Sequence, residues 1–584
     1  MKQLDVGRFR TKVIESDLFI APEQTVDAYV QQIDSIINRI LDKLAPLRCF
    51  NKCVGKKVNR WLSQEAVVAK RIRRRLERRW KATGDEAVRK EYRQACRHAN
   101  KQINVSREKH YAEVIDQTTS GSRQRWAAVK DLLHSTEPAE ALATNECLKR
   151  CKLFSDFFVD KIEKIKSKLI SNSTTSPPPD PLQHDSICDC SLTTLRTVTS
   201  GEVMKMLTSL PLKSSPQDSF PPSLLKLCPD LFAQIIAKLA NMSFSAGVFP
   251  SGYRIASVTP LLKKDGLVPD NPANFRPISN LNTMSKILER LFLVRLLPHV
   301  LASPNYNNFQ SAYRRNHSTE TALISILDDV YSDIGNHQQT VLVGLDLSAA
   351  FDTIDQSTLI RRLDMSFGIR ATALGWIRSY LTDRSQYVSV GRARSHTIQC
   401  KHGVPQGSVL GPILFTLYVS PIAKIISSFG VTHHQYADDT QLYISLQKNN
   451  SDAKTQILTR CSDAVHDWFQ SNGLALNPTK SEVIVLGTSA GISSLNHLIS
   501  VNIAGAEISI SQTLKSLGVT LDSKLNFKAH VNNICKGCYF HIRALRHIRS
   551  SLPLDLLKTV ACSVVCARLD YCNSLLYGTS KENI

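Results

Sequence analysis

The chain has 584 residues, 42% of them hydrophobic, and a formal net charge of +22. That length predicts two to four domains, and the apolar fraction is that of a globular protein, which excludes a disordered or fibrous chain. The N-terminal MKQLDVGRFRTKVIES has no apolar core and so excludes a signal peptide; with apolar runs broken by charge or proline short of a bilayer span, no membrane role is expected and the location is nuclear and cytoplasmic.

In chain order, residues 1–45 include VDAYVQQIDSIINRILDKL, whose apolar residues recur three and four apart and predict helix. From Arg48 to Lys109 there are 20 Lys/Arg against 6 Asp/Glu, a net of +14 in 62 residues. So concentrated a field draws polyanions, nucleic acid above all. AVVAKRIRRRLERRWK (66–81) holds strong helix formers and neither Gly nor Pro. Residues 1–140 therefore read as a basic α-helical nucleic-acid-binding region. Trp61, Trp80 and Trp126 are its candidates for stacking on bases, with core packing as the competing role. SNSTTSPPPDPLQ (171–183) has linker composition, and 141–199 is expected to be a partly disordered linker.

After residue 200 the texture changes to short strands, turns and helices. GEVMKMLTSLPLKSSPQDSFPPSLLKL (201–227) predicts two helices joined by a Pro/Ser loop, RIASVTPLLKKDG (254–266) a strand and basic turn, and TMSKILERLFLVRLLPHVL (283–301) an amphipathic helix. VLVGLDLSAAFDTID opens as a buried strand, and PILFTLYVSPI (412–422) is an apolar core segment. VTHHQYADDTQLYISL (431–446) has two β-prone runs around a polar centre, a hairpin pattern. The whole is an α+β chain.

Three carboxylates stand out by setting. Asp346 ends the buried run VLVGL, and Asp438 and Asp439 occupy the tip of the expected hairpin. A carboxylate near a core is costly unless paired or bound to a cation, and oxygen donors at strand ends suit a hard divalent ion, magnesium first. HGVPQGSVLGPILFTLYV (402–419) is a Gly/Pro-punctuated loop running into an apolar helix, with Gln406 offering an amide and Gly407 a close backbone approach. Of fifteen cysteines, Cys535 and Cys538 with His541 and His547 could be read as a zinc site, but their segment has helical periodicity.

The strand aspartate, the PQG loop and YADD, in this order and spacing, resemble reverse transcriptases. LDLSAAFDTID, GVPQGSVLGPILF and QYADDTQLY look like the non-LTR (LINE-type) retrotransposon branch. NFRPISNLNTMSKILERL (274–291), QSAYRRNHSTETAL (310–323), LALNPTKSEVIVLG (474–487) and LKSLGVTLDSKL (514–525) are similar to further motifs of that branch, so the resemblance covers about 200–575.

The resemblance implies a right-hand polymerase: fingers at 200–345, a reverse transcriptase domain of fingers and palm at 244–521, then a truncated helical thumb at 526–584. It implies RNA-directed addition of dNTPs to a DNA primer 3′-OH, with two Mg2+ ions (Mn2+ the alternative) held by Asp346, Asp438, Asp439 and the Leu347 carbonyl. By the same resemblance Arg276 grips the incoming triphosphate, with Lys263 and Lys264 as lesser candidates. Phe351 is the steric gate against a ribose 2′-OH, and Gln406 and Gly407 lie beside the nucleotide sugar. Lys480 is the proton donor to pyrophosphate, and Leu517 and Gly518 form the primer grip. Nothing resembles the endonuclease that usually precedes this branch, so the nick that supplies a primer is expected from elsewhere. The rival reading is a domesticated or decayed nucleic-acid-binding protein. Oligomeric state is not legible.

Overall fold

In the computed structural model, residues 4–46, 61–116, 126–127, 129–130, 144–171, 187–211, 213–264 and 266–583 are described. The chain divides into two compact units, one of residues 1–47 with 142–525, the other of 48–141 with 526–584.

The strands of the larger unit, in chain order, are β1 (Ile255–Leu262), β2 (Phe275–Asn280), β3 (Gln339–Leu345), β4 (Leu347–Ser348), β5 (Ser385–Val390), β6 (Ala393–Arg394) and β7 (Ile398–Gln399). They continue with β8 (Thr432–Tyr436), β9 (Asp439–Leu446), β10 (Ala475–Leu476), β11 (Glu482–Leu486), β12 (Ser500–Ile503), β13 (Ala506–Ser511), β14 (Thr513–Ser516) and β15 (Val519–Asp522). A five-stranded sheet runs β2-β1-β5-β6 with β7 also on β5, and a six-stranded sheet runs β12-β13-β11-β3-β9-β8. β4 with β10, and β14 with β15, form two-stranded ribbons.

β3 lies inside the six-stranded sheet between β9 and β11, and only Gly344 in it is not buried. A strand covered on both faces reads as a continuous apolar run, which is why TVLVGL carries no alternation. Behind the sheet sits an aromatic core in which Trp376 stacks on Phe292 at 4.1 Å, and its indole N–H donates to Ser243 Oγ at 2.8 Å. Phe292 belongs to the helix Thr283–Ala302, expected to be amphipathic. Its buried positions instead include Met284, Ile287, Leu288, Glu289, Leu291, Phe292, Arg295 and Leu296, so most of its circumference is core.

Two other expectations change. The helices Val6–Ile14 and Val26–Leu44 bury Phe9, Val13, Tyr29, Ile33 and Ile37 in the large core, and Phe9 stacks on Phe232 at 6.5 Å. Residues 1–47 therefore group with the larger unit, not with the basic region that follows them. Within the span expected to be linker, Thr144–Ser171 is a 28-residue helix. It lays Phe154 and Phe158 on Val258 and Val388 of the five-stranded sheet, and burying those rings outweighs the entropy of ordering the segment. The Pro-rich stretch at 172–186 lies outside the described residues.

The stretch Gly411–Ser428 is apolar and long enough, by composition, to cross a membrane, so the expectation that every such run is broken short does not hold for it. It is two helices, Gly411–Val419 and Ile422–Ser428, and 72% of it is buried in the protein core.

The smaller unit contains the basic helix Gln64–Thr83, capped by Ser63 Oγ on the Ala66 N–H and ended by Gly84 at φ 64°. The helix Glu86–Asp116 runs back along it, with Trp80 stacked on Tyr92 at 5.6 Å and Arg89 over the Trp80 ring. Trp80 is thereby engaged within this helical pair, whereas Trp126 is 39% exposed. Leu545, Ile548, Leu552, Leu556 and Val560 of the C-terminal helical segment form a small core with Val129. Cys535, Cys538, His541 and His547 all lie on the single helix Lys528–Ile548, as their periodicity predicts.

Candidate active site

The aspartates meet because of one register. β3 and β9 are antiparallel with Leu345 opposite Thr440. The next residues outward are Asp346 on one strand and Asp439 on the other, so the two carboxylates face each other at the end of the ladder. β8 and β9 close as a hairpin with Tyr436 opposite Asp439, leaving Ala437 and Asp438 as its two turn residues. Ala437 takes φ 58°, the left-handed region natural to glycine. The Asp346 carbonyl accepts the Asn477 N–H at 2.9 Å, which ties the aspartate to β10. By ladder alternation the Leu347 carbonyl, one residue on, is directed away from β10.

The electrostatics are those of surplus negative charge. Burial raises the Asp438 carboxyl, the charge of Asp346 adds to that, and Arg276 opposes it. Asp439 is exposed overall, yet lost hydration around its carboxyl, with the charges of Asp438 and Asp346, pushes it up to about 6. Lys480 Nζ stands 3.8 Å from Asp346 Oδ2. Among the described residues no three Asp, Glu, His or Cys side chains close on one point as a finished metal cage. The donor set still fits a hard divalent cation. Three carboxylates at one strand end, two of them raised, lack an equal countercharge, and Mg2+ typically binds through one or two carboxylates plus water and substrate oxygens.

Cations gather beside this corner. Lys263 is lowered by burial and then by the charges of Lys161, Lys480 and Arg276. Its Nζ donates to the Ala273 carbonyl at 2.6 Å, and Lys264 is exposed. Arg276 is an exposed residue of β2, opposite Leu261 on β1. Lys161, on the helix Thr144–Ser171, was missed by sequence reasoning because that span was read as linker.

The PQG loop is fastened at both ends. The Gln406 carbonyl accepts the Ser279 N–H of β2 at 2.8 Å. Gly407 is at φ 113°, and a Cβ there would stand 2.7 Å from the Ser279 carbonyl oxygen, so only glycine fits. At the other end buried Glu289 accepts the Val409 and Leu410 N–H groups at 2.7 and 3.2 Å, with Ser285 and the Tyr380 hydroxyl as further donors. Glu289 escaped sequence reasoning: one acid in a helix reads as a solvated face. Expected to lie beside the nucleotide sugar, the Gln406 amide donates to Asp352 Oδ2 at 2.9 Å. Burial pushes Asp352 up to about 6, against the pull of Lys161 and this hydrogen bond.

Phe351, in the short helix Ala350–Thr353, stacks on Phe415 at 4.8 Å and is half-buried. Leu517 and Gly518 are the turn of the β14–β15 hairpin, at φ 46° and 86°, and Gln441 Nε2 of β9 reaches Ser516 Oγ beside them at 3.2 Å. A cavity of about 770 Å3 opens between the helix Thr144–Ser171 and the PQG loop, lined among others by Phe158, Lys161, Lys166, Phe275, His402 and Gln406.

Carboxylates at the end of the antiparallel β3–β9–β8 ladder, flanked by a cation cluster, suit nucleotidyl transfer, and residues 262–521 match the family described as reverse transcriptase (RNA-dependent DNA polymerase). Over that segment the chain is similar to reverse transcriptases of the non-LTR, LINE-type retrotransposon kind. The chain is 31% identical over 348 residues to the RNA-directed DNA polymerase from mobile element jockey of Drosophila melanogaster, covering 58% of this chain and 37% of that protein. It is 23% identical over 586 residues to the jockey polymerase of Drosophila funebris, covering 94% and 61%. The Pol polyprotein of the R1 element of Bradysia coprophila is 26% identical over 282 residues, covering 48% of this chain and 27% of that protein. The chain thus spans less than two thirds of each of these relatives.

Proposed function

We propose that the chain is an RNA-directed DNA polymerase that extends a DNA primer on an RNA template with dNTPs. The observation that carries this reading is the β3–β9 register, which sets Asp346 against the Asp438–Asp439 turn. In the right-hand description the five-stranded sheet is the fingers, the six-stranded sheet the palm and the C-terminal helices the thumb, with the basic helices as a template-holding region.

Asp346, Asp438 and Asp439, with the Leu347 carbonyl, are the residues that would hold two Mg2+ ions, Mn2+ being the alternative. Bound there, such ions would supply Lewis-acid activation of the primer 3′-OH and countercharge for the phosphates. Arg276, Lys161 and Lys263 supply fixed positive charge for a triphosphate, which as a planar guanidinium Arg276 can grip bidentately. Lys480, with Nζ 3.8 Å from Asp346 Oδ2, is in this reading the general acid for the departing pyrophosphate. Phe351 presents a ring five residues beyond Asp346, where contact excludes a sugar 2′-OH. The PQG loop, pinned by Ser279 and Glu289, gives the nucleotide site a rigid wall, and preorganisation is the protein's main contribution to such transfers.

The test is primer extension by the purified chain on an RNA template, with dNTPs and Mg2+, against Asp438→Asn. Extension by the parent and its loss in the variant, at unchanged RNA affinity, is expected. A parent that binds RNA without extending a primer would favour the decayed nucleic-acid-binding reading instead.

A further inference from the structure

The turn that leads into the carboxylate pair Asp438–Asp439 is held at Ala437 from outside its own hairpin. Gln310 is 1% exposed. Its Oε1 accepts the Ala437 N–H at 2.9 Å, and its Nε2 donates to the Ala437 carbonyl at 3.2 Å. The same Oε1 accepts the Ala312 N–H at 3.0 Å, which locks the amide in place. Both backbone groups of one residue are thus gripped by one side chain, and that residue is the alanine held at φ 58° immediately before Asp438.

The surrounding contacts make the grip rigid. Residues 307–312 lie along the open edge of β8: the Gln435 N–H donates to the Phe309 carbonyl at 2.9 Å, and the Ser311 N–H donates to the Gln435 carbonyl at 2.9 Å. Asn307 Nδ2 donates to Gln435 Oε1 at 2.6 Å, and Gln435 Nε2 donates to Thr440 Oγ1 at 3.0 Å, next to Asp439. Ser311 Oγ pairs with His434 Nε2 at 2.9 Å.

We propose that Gln310 is a positioning residue that clamps Ala437 in the left-handed conformation and so aims Asp438 and Asp439 for metal binding. The bland alternative is a buried glutamine satisfied by whatever backbone lies near. It does not account for donor and acceptor converging on the one strained residue of the turn. A carboxamide offers both groups at this reach, whereas glutamate would lack the donor and add a fourth carboxylate to the corner of Asp346, Asp438 and Asp439. The proposal rests on the polymerase reading for its purpose, but the clamp has a readout independent of catalysis.

The test uses the full chain as parent, Gln310→Ala, Ala437→Gly and the double variant. Mn2+ affinity is measured by paramagnetic resonance titration, and kcat and KM for dNTP by primer extension. Gln310→Ala should weaken Mn2+ binding and lower kcat by about tenfold, the effect typical of removing support behind metal ligands, with KM changed less than about twofold. The double variant should regain at least half of each loss on a logarithmic scale, because glycine occupies positive φ without help. Parental Mn2+ affinity in Gln310→Ala overturns the clamp, and so does a deficit that Ala437→Gly leaves untouched. Failure of both Gln310→Ala and the double variant to fold also overturns it, since Gln310 is then a core filler. If the parent binds Mn2+ but extends no primer, the polymerase reading falls, and the clamp is decided by the Mn2+ titrations.

Discussion

Lys480 Nζ lies 3.8 Å from Asp346 Oδ2, with 69% and 40% of the two side chains exposed. An ion pair this open adds about 0–1 kcal/mol to stability, so its place beside a carboxylate of the proposed active centre matters more than its strength. Lys480→Ala should leave the melting temperature within about 2 °C of the parent, the small shift expected for a change of under 1 kcal/mol in a large domain. Its kcat should fall by about a hundredfold, the lower range for loss of a general acid. Near-parental kcat across pH 6–9 would remove Lys480 from the chemistry.

Asp439 gives a pH signature. Its carboxyl is pushed from 3.8 to about 6 on folding, by lost hydration first and then by Asp438 and Asp346. A raised acid holds its proton more tightly in the folded chain than in the unfolded one. Its contribution to stability is therefore best below the unfolded value and is lost as pH climbs through about 6. Without divalent metal the parent should melt progressively lower between pH 4.5 and 7 relative to Asp439→Asn, and Mg2+ should restore much of the difference, because binding to the folded state alone stabilises it. Parallel melting curves across that range would show that the corner carries no excess charge.

Phe351 stacks on Phe415 at 4.8 Å, so it is partly a packing residue even if it gates the sugar. Phe351→Val should lower the melting temperature by a few degrees, in line with a loss of about 1–2 kcal/mol for trimming a half-buried ring. It should also narrow discrimination between dNTP and rNTP by about two to three orders of magnitude, roughly 3–4 kcal/mol of relative barrier. Steady-state incorporation of both nucleotides on one RNA template decides it: equal losses for both mean the ring only packs.

Arg71, Arg74, Arg75 and Arg78 are exposed and spaced along one face of the helix Gln64–Thr83. Replacing the four with glutamine should reduce the slope of log affinity for single-stranded RNA against log salt by about 0.7 for each phosphate no longer neutralised. Salt titrations of parent and variant measure this, and identical slopes would place RNA on another surface. Deleting residues 1–140 outright would be a poor substitute, because Phe9, Tyr29 and Ile33 belong to the large core.

Much of the chemistry is legible in the sequence because its signals are local. VLVGLD announces a buried strand ending in an acid, YADD a polar hairpin tip, and PQG a loop that ends on a residue without a Cβ, where the chain must pass close to β2. Charge counting likewise marks the arginines of 71–79, since charge needs no partner to be read. Contacts between distant residues leave no such trace. Arg10 pairs with Asp230, which helps seat the first helix in the larger unit, and Phe154 meets Phe275 across the span read as linker. Glu289 caps a loop 120 residues away, and Gln310 grips a turn 127 residues away. In one dimension Glu289 and Gln310 are lone polar residues indistinguishable from ones facing water; what gives them a role is burial, and burial is decided only when β3, β8 and β9 find their register and the helices close over them.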